Sequence, residues 1–395
     1  MSKTIFYLLL CFFCILSISW KNFTQVTKPI EDRLYYLKIA KGEQHEVISP
    51  FSKRVAHPLF AAAFSQIFKG DLRKSFQVIS LLSLIVFLLA ITLLYRRFQI
   101  APPLILFTVS PYLVQIFYDY YMHDLFYGAL LALFLVLFSR SILSSFIFIP
   151  LLFIVRESTL LVSLVLFFVL LREKKYRDIL IILGATAIGI VLSNFFAHAG
   201  LPNRYGFSEI FYMGSKIIYN TSLNFFGIEL WNSSMNSCTP KVIFNLPFLV
   251  GKINQIGYCA WHPINSLITL VQWLTIFGLL PSLLLKIKSR LSVVDSHKTI
   301  IYFCLIYGFL SFVLGPMIGP GGFRLTGYGW PCFWVAILAL QKTISWPFFI
   351  LNLFLTWVPP LTYYFLGWTH LAIWVVFCIA VITHLVFWLR VKNEF

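Results

Sequence analysis

Residues 143–171 read LSSFIFIPLLFIVRESTLLVSLVLFFVLL, an apolar run of membrane length broken at its centre by Arg156 and Glu157. A continuous spanning helix takes about 20 apolar residues, and ionised side chains at its midpoint are costly. The flanks give the run its direction. Arg140 stands just before it and REKKYR, residues 172–177, follows it directly. Short basic loops mark the cytoplasmic side of a membrane protein, so the run begins and ends on one side. It is expected to form two short helices that turn back, with Arg156 and Glu157 near the outer surface.

The rest of the chain falls in the same class. Its 395 residues are 59% hydrophobic and 11% charged, with a mean hydropathy of +0.86; soluble domains carry about 25% charged residues. Further apolar runs cover roughly 4–20, 76–95, 100–118, 124–139, 178–198, 263–286, 299–317, 327–341, 346–366 and 369–390. Together they predict an all-α, polytopic transmembrane protein of about eleven or twelve helices, with residues 1–395 as a single integral membrane domain. The first run resembles a signal peptide but is read as an uncleaved first helix. The net charge of +17 comes from 31 basic and 14 acidic residues. The basic residues cluster in YRR at 95–97, Arg140, 172–177, 286–290, Lys342 and RVKN near the end. That placement sets topology, with both termini inside, and argues against nucleic acid as the partner.

Alternation places residues 21–75, 118–124, 199–262 and 318–326 outside. The first of these is a polar loop with the run HPLFAAAFSQIF, too short to span and expected as an interfacial helix. The long loop at 199–262 carries sequons at Asn220 and Asn232, and both Cys238 and Cys259. These two cysteines can pair if the loop faces an oxidising compartment. The other five, Cys11, Cys14, Cys304, Cys332 and Cys378, fall in apolar runs.

The outer segments also hold the ionisable residues that need a reason: Glu31 and Asp32, Arg54 and His57, Asp119, His123 and Asp124, Arg156 and Glu157, and Arg324. Each has an ordinary reading taken alone. Glu31 and Asp32 suit a helix start, Arg54 and His57 an interfacial anchor, Asp119 and Asp124 a solvated turn, and Arg156 and Glu157 a mutual ion pair. Taken together they converge on one face. Carboxylates take protons from attacking hydroxyls, and arginines match phosphate oxygens, so the set suits group transfer from a phosphorylated donor. Two or more carboxylates can also hold a divalent cation such as Mg or Mn; no organic cofactor is needed.

The acid pair after the first helix, then YY, IAKG and FSKRVAHPLF, resembles the first outer loop of GT-C glycosyltransferases, most closely bacterial members. VRESTLL is similar to that family's paired-helix turn, and GGFRLTGYGWPCF to its late outer loop. The pattern departs from the family in having Glu-Asp where DxD or DE is common. The resemblance implies an inverting enzyme that moves one sugar from a polyprenyl-phosphate donor to a glycan, lipid or protein acceptor. It implies Asp32 or Glu31 as the base, Asp119 or Asp124 as a further acid, and Arg324 and Arg54 on the donor phosphate. Tyr35, His57 and Arg156 are expected beside the substrate. The implied place is a bacterial inner membrane with the site facing the periplasm or cell exterior. The competing readings are a lipid-linked sugar flippase or transporter and a polysaccharide repeat polymerase.

Overall fold

The computed structural model describes residues 2–25, 29, 32–201, 209–232, 238–245, 255–283, 298–318, 323–340, 344–366, 382 and 386. The helices are α1 Ser2–Thr24, α2 Asp32–Ala40, α3 Ala56–Ser65, α4 Leu72–Arg97, α5 Pro111–Tyr118, α6 Asp124–Phe138 and α7 Ser145–Val155. They continue with α8 Thr159–Arg172, α9 Tyr176–Ala197, α10 Glu209–Phe226, α11 Pro263–Phe277, α12 Lys298–Ile318, α13 Phe323–Leu340 and α14 Trp346–Leu366. Among the described residues three strands lie between α10 and α11: β1 Ile228–Asn232, β2 Val242–Asn245 and β3 Gln255–Trp261. The fold is predominantly helical with one small sheet.

Among the described residues four helices are long and apolar enough to cross a membrane: Lys3–Thr24, Leu72–Arg97, Tyr176–Ala197 and Lys298–Ile318. Shorter apolar segments, Asp124–Phe138, Ile142–Val155, Thr159–Arg172, Gly327–Leu340 and Trp346–Val358, pack around them. The broken run forms two short helices as expected. Arg156 is extended, with φ −162° and ψ 131°, and ends α7, and α8 starts at Thr159.

The run at 100–118 does not form the expected single helix. It divides into a 3-10 segment, Pro102–Thr108, and the short α5. Proline lacks an N–H and forces the residue before it out of the helical region. Ser110, before Pro111, accordingly lies at φ −143° and ψ 158°, and its side chain caps α5 by accepting from the Leu113 N–H. The run at 263–286 also shortens. Its helix stops at Phe277, and Gly278 takes φ +56°, the left-handed geometry that glycine supplies at helix ends. The Leu279 N–H beyond it donates to Asn352 Oδ1 at 2.7 Å. The run at 369–390 lies outside the described residues apart from 382 and 386.

The loop at 199–262 holds more structure than expected: α10 and an antiparallel sheet in the order β1-β3-β2. β1 pairs with β3 from Ile228↔Trp261 to Asn232↔Ile256, with an irregularity between Glu229 and Leu230. β2 pairs with β3 from Val242↔Tyr258 to Asn245↔Gln255. A disulfide joins Cys238 to Cys259, with Cα atoms 6.2 Å apart. Asn220 is buried within α10, so its sequon is not accessible in the folded chain.

The main core cluster runs through α4, α6, α7, α8, α12 and α13, and a smaller one gathers Tyr36, Ile39, Val47, Val55 and Met122. Phe87 stacks on Trp330 at 5.8 Å, and Phe107 meets Trp334 at 4.9 Å. Small residues let α12 and α13 approach closely: a Cβ on Gly308 would fall 2.6 Å from Phe333 Cβ, and one on Gly329 2.3 Å from Ser311 Cβ.

α4 defines two rims. At its start Arg73 reaches Thr24 at the end of α1 and Tyr120 after α5. At its end the Arg97 guanidinium donates to the Ser139 carbonyl beyond α6. The first rim gathers α2, the start of α4, the turn at 119–124 and the turn at 156–158. The opposite rim gathers Arg97, Ser139, residues 172–175 and the start of α12.

Candidate functional site

The first rim is built from arginines matched to carboxylates that lie far away in the chain. Arg33, in the first turn of α2, meets Asp119 through two parallel bonds, Nε to Oδ1 at 2.7 Å and Nη2 to Oδ2 at 3.0 Å. Arg54 follows the short helix Phe51–Lys53 and grips Glu157 in the same forked way, with Nε to Oε2 at 2.9 Å and Nη2 to Oε1. Its Nη1 donates to the Tyr36 hydroxyl at 3.2 Å, and its guanidinium lies over the Phe51 ring. Such planar forks are the strong form of the ion pair.

Arg156 makes the deepest contact. Its Nη1 lies 3.1 Å from Asp124 Oδ1 and 3.0 Å from His123 Nε2, and it also meets the Tyr328 hydroxyl. The Tyr328 hydroxyl donates to the same Asp124 oxygen. The Arg156 guanidinium sits over the Tyr328 ring at 4.5 Å from its centroid. The Asp124 side chain is 1% exposed and that of Arg156 10%. Two charges this deep hold only because each has a partner and further hydrogen bonds.

The electrostatics follow from these partners. Burial alone pushes the Glu157 carboxyl up, but Arg54 and then Arg156 outweigh it and hold it at about 2. Burial works against the charge on Arg54, and Glu157 more than restores it, so its pKa is raised. Burial likewise raises the Tyr36 phenol against the opposing effect of Arg54. His57 lies elsewhere in character. Its ring is buried between Phe76 and Phe126, and burial lowers its pKa to about 3. It is a neutral packing residue at pH 7, and its Nδ1 has no hydrogen-bond partner.

The structure thus brings Arg54, Asp119, Asp124 and Arg156 to one rim. Asp32 opens α2 on that rim, in the first turn where a helix favours negative charge. Tyr35 stacks on Phe51 at 4.9 Å. Glu31 lies outside the described residues, and Arg324 falls in the first turn of α13 with its side chain outside them. Arg156 and Glu157 do not form the mutual ion pair of their ordinary reading; they part to Asp124 and to Arg54. Arg33, Tyr36, Arg73 and Tyr328 were not singled out from sequence. Arg33 stands directly after the acid pair, and Tyr328 lies inside the quoted GYGWP motif, so both were within reach.

Among the described residues no three His, Cys, Asp or Glu side chains gather as a metal site would need. Asp119 and Asp124 each face a guanidinium. The chain matches no protein-family profile, no curated protein and no solved structure.

Proposed function

We propose that the chain is a multi-pass membrane glycosyltransferase of GT-C type that transfers one sugar from a polyprenyl-phosphate donor on the outer face of a bacterial inner membrane. The observation that carries this reading is the first rim. Segments far apart in the chain converge there with acids and arginines, and Asp32 stands at its edge beside Arg33. Two further features support the sidedness. The opposite rim carries Arg96, Arg97, Arg140, Arg172, Lys174, Lys175 and Arg177, which suits the cytoplasmic side. The Cys238–Cys259 disulfide suits an oxidising compartment for the segment between α10 and α11.

The reaction is a displacement at the anomeric carbon. The acceptor hydroxyl oxygen attacks, and Asp32 or Glu31 takes its proton. The bond from the anomeric carbon to the phosphate oxygen breaks with its electron pair on the phosphate, and configuration inverts. Positive groups on the rim stabilise the departing phosphate. Arg33, held by Asp119, fixes the start of α2 and with it the position of Asp32.

A lipid-sugar transporter remains the rival, because the buried Arg156–Asp124 pair also suits a polar pathway through the membrane. One experiment separates them. Wild type and Asp32→Asn are placed in proteoliposomes with radiolabelled polyprenyl-phosphate sugars and a crude acceptor extract. The expected result is transfer by wild type that falls at least about a hundredfold in Asp32→Asn, the scale of a lost general base. Donor that crosses the bilayer uncleaved sinks the transferase reading.

A further inference from the structure

We infer that Arg73 holds the phosphate of a long-chain lipid phosphate, whose hydrocarbon lies against the outward apolar faces of α1 and α4. The inference rests on the reading above and names the place where its donor sits, which the sequence had assigned to Arg54 and Arg324.

Charge matching singles out Arg73. Arg33, Arg54 and Arg156 each have a carboxylate: Asp119, Glu157 and Asp124. An incoming phosphate would have to displace one of those carboxylates and leave it uncompensated, which is strongly unfavourable for a pair as buried as Arg156–Asp124. Arg73 is different. Its Nε donates to the Tyr120 hydroxyl at 3.3 Å and its Nη2 to the Thr24 carbonyl at 2.5 Å. Both acceptors are neutral, so the guanidinium is held in place while its charge stays unmatched among the described residues. The N-terminal end of α4 is itself capped by Asp71, whose carboxylate accepts from the Lys74 N–H and pairs with the Lys74 side chain, so Asp71 does not neutralise Arg73. Tyr120 follows Asp119 directly in the chain, so Arg73 joins the same rim as Arg33 and Asp32.

The surface below Arg73 suits a lipid chain. On α1, Phe6, Phe13 and Trp20 recur at seven-residue spacing and are 61%, 56% and 55% exposed. On α4, Leu82, Ile85, Leu89 and Leu93 form a second exposed apolar stripe. Arg73 and Gln77 tie the two helices at one end, through the carbonyls of Thr24 and Phe23. The stripe from Phe6 to Trp20 is about 21 Å long at 1.5 Å per residue, more than the roughly 15 Å of hydrocarbon in one leaflet. A chain lying there ends with its phosphate level with Arg73.

The test measures saturable binding of tritiated polyprenyl phosphate to the full-length protein in nanodiscs, with inorganic phosphate as competitor. Arg73→Ala is expected to weaken binding at least about tenfold, the scale of a charge-assisted hydrogen bond, and Arg73→Lys to recover part of it. Ile85→Gln, which leaves the charge intact, is expected to weaken binding of the lipid as well. Melting temperatures confirm that each variant is folded. Unchanged affinity in folded Arg73→Ala overturns the inference. Inorganic phosphate that competes as well as the lipid overturns its lipid part and makes the site one for a free anion. Loss of binding in Arg73→Ala with no sugar transfer by wild type leaves this site standing while the transferase reading fails. Transfer and donor binding that both ignore Arg73 do the reverse.

Discussion

The first rim and the opposite rim hold the same kinds of side chain and use them differently. On the first, Arg33 and Arg54 meet carboxylates through paired bonds, Arg156 meets Asp124 through one, and Asp124, Arg156 and Arg54 are buried. On the opposite rim the basic residues are mostly exposed. Lys175 pairs with Glu173 at 2.6 Å and bonds the Thr299 hydroxyl at 2.8 Å. Arg172 and Lys298 lie over the Tyr302 ring. There, Arg140 and Lys175 line a cavity of about 260 Å³ together with Asp178 and Thr299. Charges that are buried and forked position other groups; charges that are solvated and redundant contribute through their number. The lesson is that an arginine's role follows from its partner and its burial, more than from its place in a loop.

The largest effect that tests this contrast is Asp124→Ala. It strands Arg156 inside the protein, and the expected loss is about 3–5 kcal/mol of stability, read as a drop in melting temperature of the purified protein. A melting temperature equal to wild type would break the comparison at its strongest point. Next is acid sensitivity. The Glu157 carboxyl sits at about 2, below the ordinary value of about 4.3. The unfolded chain therefore binds more protons between these values, so the stabilisation is full above about pH 4.3 and is lost as pH falls towards 2. Arg54→Met is expected to flatten that part of the stability–pH curve, and an unaltered curve would remove Glu157 from the account. The smallest effect is Arg140→Ala on the opposite rim. A single exposed charge there should change stability by less than about 0.5 kcal/mol; a loss comparable to that of Asp124→Ala would show that the two rims do not differ.

Much of the helical layout was legible because it rests on long-range averages. The turn at Arg156 and Glu157 followed from two charges inside an apolar run and basic residues at both ends. The break at Ser110–Pro111 was written in the sequence too, but hydropathy does not register a missing N–H. The strands between α10 and α11 were hidden for another reason. They are short, and β2 is exposed along its whole length, so no alternation of apolar and polar residues marks it. The rim could be anticipated as a gathering of charges, but its pairings could not. Arg33 and Asp119 are 86 residues apart, and Arg54 and Glu157 are 103 apart. Nothing local in the chain says which carboxylate each arginine will find. Arg33 itself was passed over because the neighbouring acids drew the chemical argument.

Residues 47–49 run parallel to Leu201: the Leu201 N–H donates to the Val47 carbonyl at 2.8 Å, and the Ser49 N–H donates to the Leu201 carbonyl at 3.0 Å. Gln44 adds bonds to the carbonyls of Ser52 and Phe196. Gly200 permits the approach, since a Cβ there would lie 2.3 Å from Ser52 Cβ and 2.6 Å from the Val47 oxygen. The segment that carries Arg54 is therefore clasped by chain that the ribosome produces about 150 residues later, roughly 8–30 s at 5–20 residues per second. During that interval the start of the protein has been made while its clasp does not yet exist. The rim needs α9 for this clasp and α13 for the Tyr328 contacts of Arg156 and Asp124, so a chain stalled before residue 201 leaves the segment that carries Arg54 unclasped.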